Sequence, residues 1–379
     1  MEPDREYYQW RVEAEKNGLS HLAATAYYLD DSKRLYGIYV DGDPITAPIF
    51  SYRDWVHKSD SEYPIGSISN DEPVSDYNEK VIEELERVIS FRKNGNIDDV
   101  EIGTNLWNGE VYAAEGSHRN NIDLELQKSD YYTVRSAAGI LEEELYKRLY
   151  ERDLEPDASF KEIQDEIPRL YLPYRSELAE SFDDLIEIDS PRLVGSTGIT
   201  FYQDEDGDYH FPVIVPDSSV SEGYSLWTPP EGGVLQVLDH NDLSIKNHYY
   251  EKLQRMSSES LGSQGIDLES IKSEIESDDN ESNICHTATG IDCKSGSIQI
   301  YNAMVLTNPD HYQQISQLTA EDIPGVERFA LVNTKNTEAL KKLLSINTMN
   351  PQNVMGLSEG LQFLETEHFG DIGVFIRRM

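Results

Sequence analysis

The stretch that decides the fold lies between residues 190 and 262 and contains the sequence Trp227-Thr228-Pro229-Pro230-Glu231-Gly232-Gly233. Ahead of it, residues 193–201 and 209–215 are two runs of β-forming side chains. A polar turn with an Asp-Gly pair typical of hairpins, residues 204–208, separates them. After it, helical spacing extends from about residue 242 to residue 261, and Gly262 predicts the end of that helix. The stretch therefore predicts a hairpin, a tight turn and a helix in succession.

The composition indicates a folded and very acidic chain. Its 379 residues are enough for two domains, and 38% of them are hydrophobic. The formal net charge is −39, from 71 acidic and 32 basic residues. Such an excess of acid opposes general binding to nucleic-acid phosphates. The acidic residues are spread through nearly every segment, which favours a protein adapted to high salt over an acidic protein that binds a basic partner.

The two cysteines and the first residues of the sequence favour a soluble, cytoplasmic protein. Cys285 and Cys293 are too few for a disulfide framework. They lack the Cys-x-x-Cys spacing of a strong zinc site, so we interpret them as buried strand residues, with a zinc site that includes His286 as the alternative. The N-terminus lacks the apolar core of a signal peptide, and no segment approaches the roughly 18 apolar residues of a membrane span. We expect a soluble, cytoplasmic protein with no membrane partner.

The first half mixes helices and strands. Helical spacing predicts helices over residues 8–17, 76–95, 129–152, 160–170 and 177–186. Strand patterns cover residues 22–28, 34–39, 100–104, 110–114 and 122–126. The sequence Trp107-Asn108-Gly109 predicts a hairpin turn that joins the strands at residues 100–104 and 110–114. Residues 1–186 are therefore predicted to form an α+β domain of unknown role.

A domain boundary is predicted near residues 187–192, where helical spacing gives way to strands. Beyond the central helix, residues 267–282 contain seven acidic residues and no aromatic one, which predicts a solvated helix or an insertion. Further strands are predicted at residues 283–291, 296–306 and 326–332, followed by helices at 337–344 and 357–366. Residues 187–379 are therefore predicted to form the second domain.

The second domain resembles the Nudix superfamily, in which a Gly-Gly turn leads into a helix with an Arg-Glu-x-x-Glu-Glu-x-Gly pattern. The matching residues are Trp227, Pro230, Gly232, Gly233, Arg255, Glu259, Leu261 and Gly262. The resemblance covers residues 191–378, about half of the chain. The resemblance implies that this domain is a Nudix-like α/β/α sandwich with a mixed sheet. With the predicted boundary, the whole chain is expected to be a two-domain α+β protein.

The chain departs from the family on the helix that carries the family's carboxylates. Met256 and Ser260 stand where the family has Glu. Those carboxylates hold divalent cations against a pyrophosphate and activate water. Glu251, Arg255 and Glu259 are spaced at i, i+4 and i+8. They form either a solvated ion-pair ladder or a catalytic site in which Glu251 and Glu259 bind Mg or Mn and Arg255 steers them.

Three functions are compatible with these patterns. Because carboxylates are missing, we favour a non-catalytic module that binds a nucleotide-like small molecule or a protein partner. Its ligand-binding residues would be Trp227, Pro230, Glu231, Gly232 and Gly233, since Trp can stack on a base and glycine amides can approach a ligand closely. The alternatives are a metal-dependent nucleoside-diphosphate-type hydrolase and a structural protein such as a virion component.

Overall fold

The computed structural model describes most of the chain as an α+β fold, which confirms the predicted class. The described residues are 5–28, 35–51, 66–97, 100, 103–114, 124–166, 191–220, 225–237, 244, 247, 266–276, 283–345, 348–367 and 370–379.

Twelve strands of the described residues form one mixed sheet. They are β1 (Leu35–Val40), β2 (Asp43–Ser51), β3 (Gly66–Val74), β4 (Glu110–Ala114), β5 (Leu124–Asp130), β6 (Arg192–Gln203), β7 (Tyr209–Pro216), β8 (Gly232–Val234), β9 (Ile284–Asp292), β10 (Ile298–Leu306), β11 (Val326–Asn333) and β12 (Ile376–Arg378). The order is β12-β1-β2-β9-β10-β6-β4-β5-β3; β7 and β8 also pair with β6, and β11 pairs with β7. The pairs β6–β10 and β3–β5 are parallel, whereas the others are antiparallel.

Helices cover this sheet. Within the described residues they are α1 (Arg5–Lys16), α2 (Leu19–Tyr27), α3 (Glu79–Asn94), α4 (Tyr131–Glu151), α5 (Phe160–Glu166), α6 (Leu268–Ile275), α7 (Pro309–Ser316), α8 (Thr337–Leu343) and α9 (Pro351–Glu367). The Asn78 side chain caps α3, and Gly95, with φ of 64°, ends it. None of the helices in this part of the chain is long and apolar enough to cross a lipid bilayer.

The predicted strand at residues 22–28 is wrong, because most of this segment belongs to α2. Its apolar residues recur at helical spacing: Leu19, Leu22, Ala23 and Ala26 pack together in one buried cluster. Alanine also has the highest intrinsic preference for helix. Gly18, with φ of 66°, separates α1 from α2 as a left-handed residue.

The predicted strand at residues 100–104 is wrong at the positions described, since residues 100, 103 and 104 lie outside any strand. Gly103 has φ of 87°, and its amide donates to the buried carboxylate of Glu86 over 2.6 Å. β4 pairs with β5 and β6 instead. The Asn108-Gly109 pair therefore precedes β4 without forming a hairpin.

The centre of the sheet is the parallel pair of β6 and β10, whose register runs from Ile298 opposite Val194 to Leu306 opposite Tyr202. Every residue of β10 is buried. Alternate side chains of the two strands enter two different apolar cores, as the period of a strand requires. One of these cores contains the apolar side of α9, and the other contains that of α6.

The acidic segment that was predicted to be solvated contributes to the core. Within residues 267–282, α6 is capped by Asp267 and buries Ile271 and Ile275. These two side chains lie four residues apart, so they form one apolar stripe while the acidic residues occupy the rest of the helix surface. The helix is therefore amphipathic at the positions described.

Strands from both sides of the predicted boundary at residues 187–192 pair with one another. β2 pairs with β9, β4 with β6, and β1 with β12. The division into domains 1–186 and 187–379 stays a prediction, as does the Nudix-like sandwich. Pairing across the boundary is a physical argument for one sheet that the two halves share.

Buried charged side chains join the N-terminal helices to the sheet. Arg11 lies 2.8 Å from Glu143, whereas Arg135 and Lys294 lie 3.0 Å and 2.9 Å from Glu142. Burial would raise the pKa of Glu142, but the positive charges of Lys294, Arg135 and Arg11 outweigh it and hold that pKa well below its usual value. Because Lys294 follows β9 and Glu142 lies in α4, this contact fixes the helix on the sheet.

Candidate ligand-binding site

A cavity of about 600 Å³ lies beside β6, where α9 and α4 pack on different parts of that strand. Its described lining comes from β6, β8, β10, the end of β7, the start of β11, the start of α4 and the first turn of α9 with Asn350 before it. The loop residues of the lining are 105–107, 219–220, 228–230, 236 and 323–325. The volume falls within the roughly 300–1,000 Å³ that is usual for small-molecule sites. No ionisable group other than the Tyr131 hydroxyl occurs in this described lining.

The floor of the cavity is formed by Gly195 and Thr197 of β6 and Gln299 of β10. Gln299 is opposite Gly195 in the parallel register, and only 5% of it is exposed. A Cβ atom at position 195 would lie 2.3 Å from the Oε1 atom of Gln299, so the Gln299 carboxamide lies directly across the glycine. Its side chain makes no hydrogen bond within the described part of the chain. The floor therefore presents an unused donor and an unused acceptor.

The first turn of α9 forms one wall, in which hydrogen bonds fix the amide side chains. The Asn353 side chain donates to the Thr228 hydroxyl over 2.6 Å and accepts from the Thr197 hydroxyl over 3.1 Å. The Gln352 amide donates to buried Asp292 over 3.0 Å. These bonds connect three separate strands or turns to the helix, so the wall is preorganised.

Aromatic side chains form the opposite part of the lining. The ring centroids of Trp107 and Tyr131 lie 5.9 Å apart, and Trp107 is 53% exposed. Gly109 has no side chain to displace the indole, since a Cβ atom there would lie 1.7 Å from the Trp107 ring. The two rings are inclined at 45° to each other, so a flat ligand can stack on only one of them, and the Trp107 indole is the more exposed of the two.

Nearby, a buried arginine fixes the loop that lines the cavity at Val220. Arg92 of α3 donates to the Val220 carbonyl oxygen over 2.5 Å and also pairs with Glu15 of α1. Its side chain is 1% exposed. The N-terminal helices thus hold part of the cavity wall, although no side chain of α1 lines the cavity among the residues described.

The Pro-Pro-Glu-Gly-Gly turn borders the cavity through its backbone. Pro230, Gly232 and Gly233 belong to the lining, and the two glycines pair with Thr197 and Ser196 as β8. A Cβ atom at position 232 would lie 3.4 Å from the Pro229 carbonyl oxygen, so the turn is compact there. The sequence-predicted contribution of these three residues to a ligand site is compatible with this placement.

Glu231 does not line the cavity; it is fully buried on the other side of the turn. Neither carboxylate oxygen has a hydrogen bond of ordinary geometry in the described residues. Burial raises the pKa of Glu231 to about 8, although the adjacent Thr200 hydroxyl offsets part of that rise. Burial and the charge of Glu231 in turn raise the pKa of Tyr202 well above its usual value. The carboxyl group is therefore mostly protonated at neutral pH.

The other sequence-predicted residues lie elsewhere. Trp227 is half-buried against the core that contains α9, and the Arg328 guanidinium lies 5.3 Å from its ring centroid, outside the cavity lining. Glu251, Arg255 and Glu259, the candidate catalytic and metal-binding residues, lie outside the described residues. Where side chains are described, no three His, Cys, Asp or Glu residues are grouped as a metal site would require. Cys285 and Cys293 are buried, as expected.

Sequence reasoning missed the residues that form most of the cavity. Gln299 and Asn302 are the two amide side chains inside a mainly apolar strand run, and this is a signal that could have identified Gln299. Trp107 was interpreted only as part of a turn. Asn353 and Gln352 carry no signal in the sequence, because their role depends on contacts with strands more than 50 residues away.

A scan of the chain against models of protein families finds no match, and no curated protein matches its sequence.

Proposed function

We propose that this protein is a non-catalytic module that binds a nucleotide-like small molecule in the cavity beside β6. The observation that carries the proposal is the described lining of that cavity, in which a few polar groups converge among apolar and aromatic side chains. This combination is typical of sites that bind and orient small molecules. Pro230, Gly232 and Gly233, three of the five residues expected from the sequence to contact a ligand, lie in this lining, which supports the proposal; Trp227 and Glu231 do not lie in it.

Binding is favoured over hydrolysis because the described lining offers no carboxylate, imidazole, thiol or amine. General acid–base catalysis needs a titrating group within hydrogen-bond reach of the reacting atoms, and a metal-assisted reaction needs carboxylate or imidazole ligands. The hydrolase alternative depends on Glu251, Arg255 and Glu259, and it predicts a ligand response that requires Mg or Mn.

A thermal-shift screen of nucleosides and nucleotides, with and without magnesium, tests the proposal. We expect the melting temperature to rise with a ligand alone, since a ligand that binds only the folded chain stabilises it. A rise that requires both ligand and magnesium would favour the hydrolase. No rise with any compound at millimolar concentration would contradict the binding function.

Two substitutions of exposed aromatic residues test whether the ligand that raises the melting temperature binds in the cavity. Trp107→Ala removes the stacking surface at the cavity and should reduce the ligand-induced rise, because aromatic stacking contributes about 1–3 kcal/mol per base. Phe375→Ala removes another exposed ring, 65% accessible, beside the β12 edge of the sheet. It should leave the rise unchanged. An equal effect of the two variants would place the ligand outside the cavity.

A further inference from the structure

We propose that the ligand is an uncharged nucleoside and that the Gln299 carboxamide recognises the hydrogen-bonding edge of its base. This inference rests on the proposed binding function and narrows the class of ligand.

The Gln299 side chain is buried at the cavity and has unused hydrogen-bonding capacity. It is 95% buried, since only 5% is exposed, and it makes no hydrogen bond to the described part of the protein. A carboxamide offers a donor and an acceptor next to each other. Neither amide atom is among the fully enclosed unpaired polar atoms of the described residues, so both are reachable from the cavity, where water or a ligand supplies their partners. A base edge with a neighbouring donor and acceptor satisfies both atoms at once, as Gln does with adenine.

The absence of a side chain at Gly195 lets the Gln299 carboxamide lie over β6. Gly195 leaves room for the carboxamide directly above the β6 backbone, where the Gln299 Oε1 and Nε2 atoms would lie 2.3 Å and 2.9 Å from any Cβ atom. The neighbouring amides of Gln352 and Asn353 are already bound to Asp292, Thr197 and Thr228. Gln299 therefore remains available for a ligand, whereas these two side chains support the wall.

The net charge of the chain and the uncharged described lining of the cavity oppose the binding of a phosphate group. The chain carries a formal net charge of −39, and the described lining contains no lysine or arginine. A phosphate group would enter against the field of the whole protein, with no cation among the described lining residues to receive it. Trp107 and Tyr131 provide a surface for the flat base, and the cavity of about 600 Å³ can hold a base with its sugar.

Isothermal titration calorimetry with matched ligands tests this inference. The probes are adenosine, guanosine, cytidine and uridine, their 5′-monophosphates, and ribose, all at one salt concentration. We expect at least one nucleoside to bind tenfold or more tightly than its own monophosphate and than ribose. A monophosphate that binds as tightly as its nucleoside would overturn the inference while the proposed binding function stands. Tight binding of ribose alone would also overturn it. Absence of binding by every probe would contradict the proposed function itself.

Three variants assign the recognition to Gln299. Gln299→Leu keeps the bulk of the side chain and removes its polar atoms, and we expect a loss of affinity of at least tenfold. Gly195→Ala introduces the Cβ atom that displaces the carboxamide, and we expect a similar loss. Gln317→Leu changes an exposed glutamine after α7 and should leave the affinity as in the wild type. Affinity that is unchanged in both Gln299→Leu and Gly195→Ala, with melting temperatures that show folded protein, would overturn the assignment.

Discussion

Glu231 is a single residue whose burial makes the stability of the whole chain depend on pH. Its pKa of about 8 in the folded chain lies above the value of about 4.3 for an exposed Glu. The folded state therefore binds the proton more tightly than the unfolded state. The contribution of this group to the free energy of unfolding is fully present below a pH of about 4.3 and is lost as the pH rises through about 8. Its size is on the order of several kcal/mol, at about 1.4 kcal/mol for each unit of pKa difference.

The variant Glu231→Gln tests this linkage, because glutamine has the same shape and no charge to lose. Urea unfolding between pH 5.5 and pH 9 should show a steeper loss of stability in the wild type than in the variant. Glu338→Gln, at an exposed position in the first turn of α8, is the matched control and should follow the wild type. Parallel pH profiles of the wild type and Glu231→Gln would show that the carboxyl is not buried as described.

Replacement of Lys294 should lower the free energy of unfolding by several times more than replacement of a surface lysine. Lys294→Met leaves the Glu142 carboxylate buried with less positive charge around it, and breaking a buried ion pair costs about 3–5 kcal/mol. Lys335→Met is the control, since Lys335 pairs with Asp208 at the surface, where such pairs contribute about 0–1 kcal/mol. Chemical denaturation measures both free energies of unfolding. A Lys294→Met loss no larger than that of Lys335→Met would contradict the buried network.

Among the elements, the ones predicted well are those whose signals are local. The hairpin of β6 and β7 has strand-forming runs and an Asp-Gly turn, and its Gly207 has φ of 84° as that turn requires. α3 has a polar cap, an apolar stripe and a terminal glycine. α2 was missed because residues 22–28 alone are too few to distinguish the two periods. With Leu19 included, the apolar residues follow helical spacing, and that face packs against α4 and α5.

The site was predictable only in part, because some of its residues carry local signals and others depend on contacts that are distant in sequence. The glycines of the Pro-Pro-Glu-Gly-Gly turn could be identified because glycine in a turn is a local signal. Gln299, the partner of Gly195, could not be identified from the sequence, because the parallel pairing of β6 with β10 joins residues about 100 positions apart. Glu231 was expected to contact a ligand, and its side chain instead faces the core, because pairing of β8 with β6 sets which side of the turn each residue occupies.

Several strand pairs join one strand before residues 187–192 to one strand after them. A fragment of residues 187–379 lacks β1, β2 and β4, so β9 and β6 lose strands with which they pair. Unpaired strand edges in a buried sheet are unfavourable and promote aggregation. We expect this fragment to lack the cooperative thermal unfolding of the full chain when both are followed by circular dichroism. A fragment that unfolds cooperatively on its own would support the two-domain division.

For the whole molecule, the dominant property is its charge. A formal net charge of −39 produces self-repulsion that salt screens, so lowering the ionic strength should destabilise the folded chain. We expect the melting temperature to fall steeply from molar sodium chloride to tens of millimolar. A flat profile over that range would contradict the interpretation that the acidic composition is an adaptation to high salt.

The central claim is that the cavity beside β6 binds a nucleoside, and a crystal structure of the protein grown with a saturating nucleoside tests it most directly. We expect density for a base stacked on Trp107 or Tyr131, with its edge about 3 Å from both amide atoms of Gln299. A cavity that contains only water under those conditions, or a nucleoside bound elsewhere on the molecule, would contradict it.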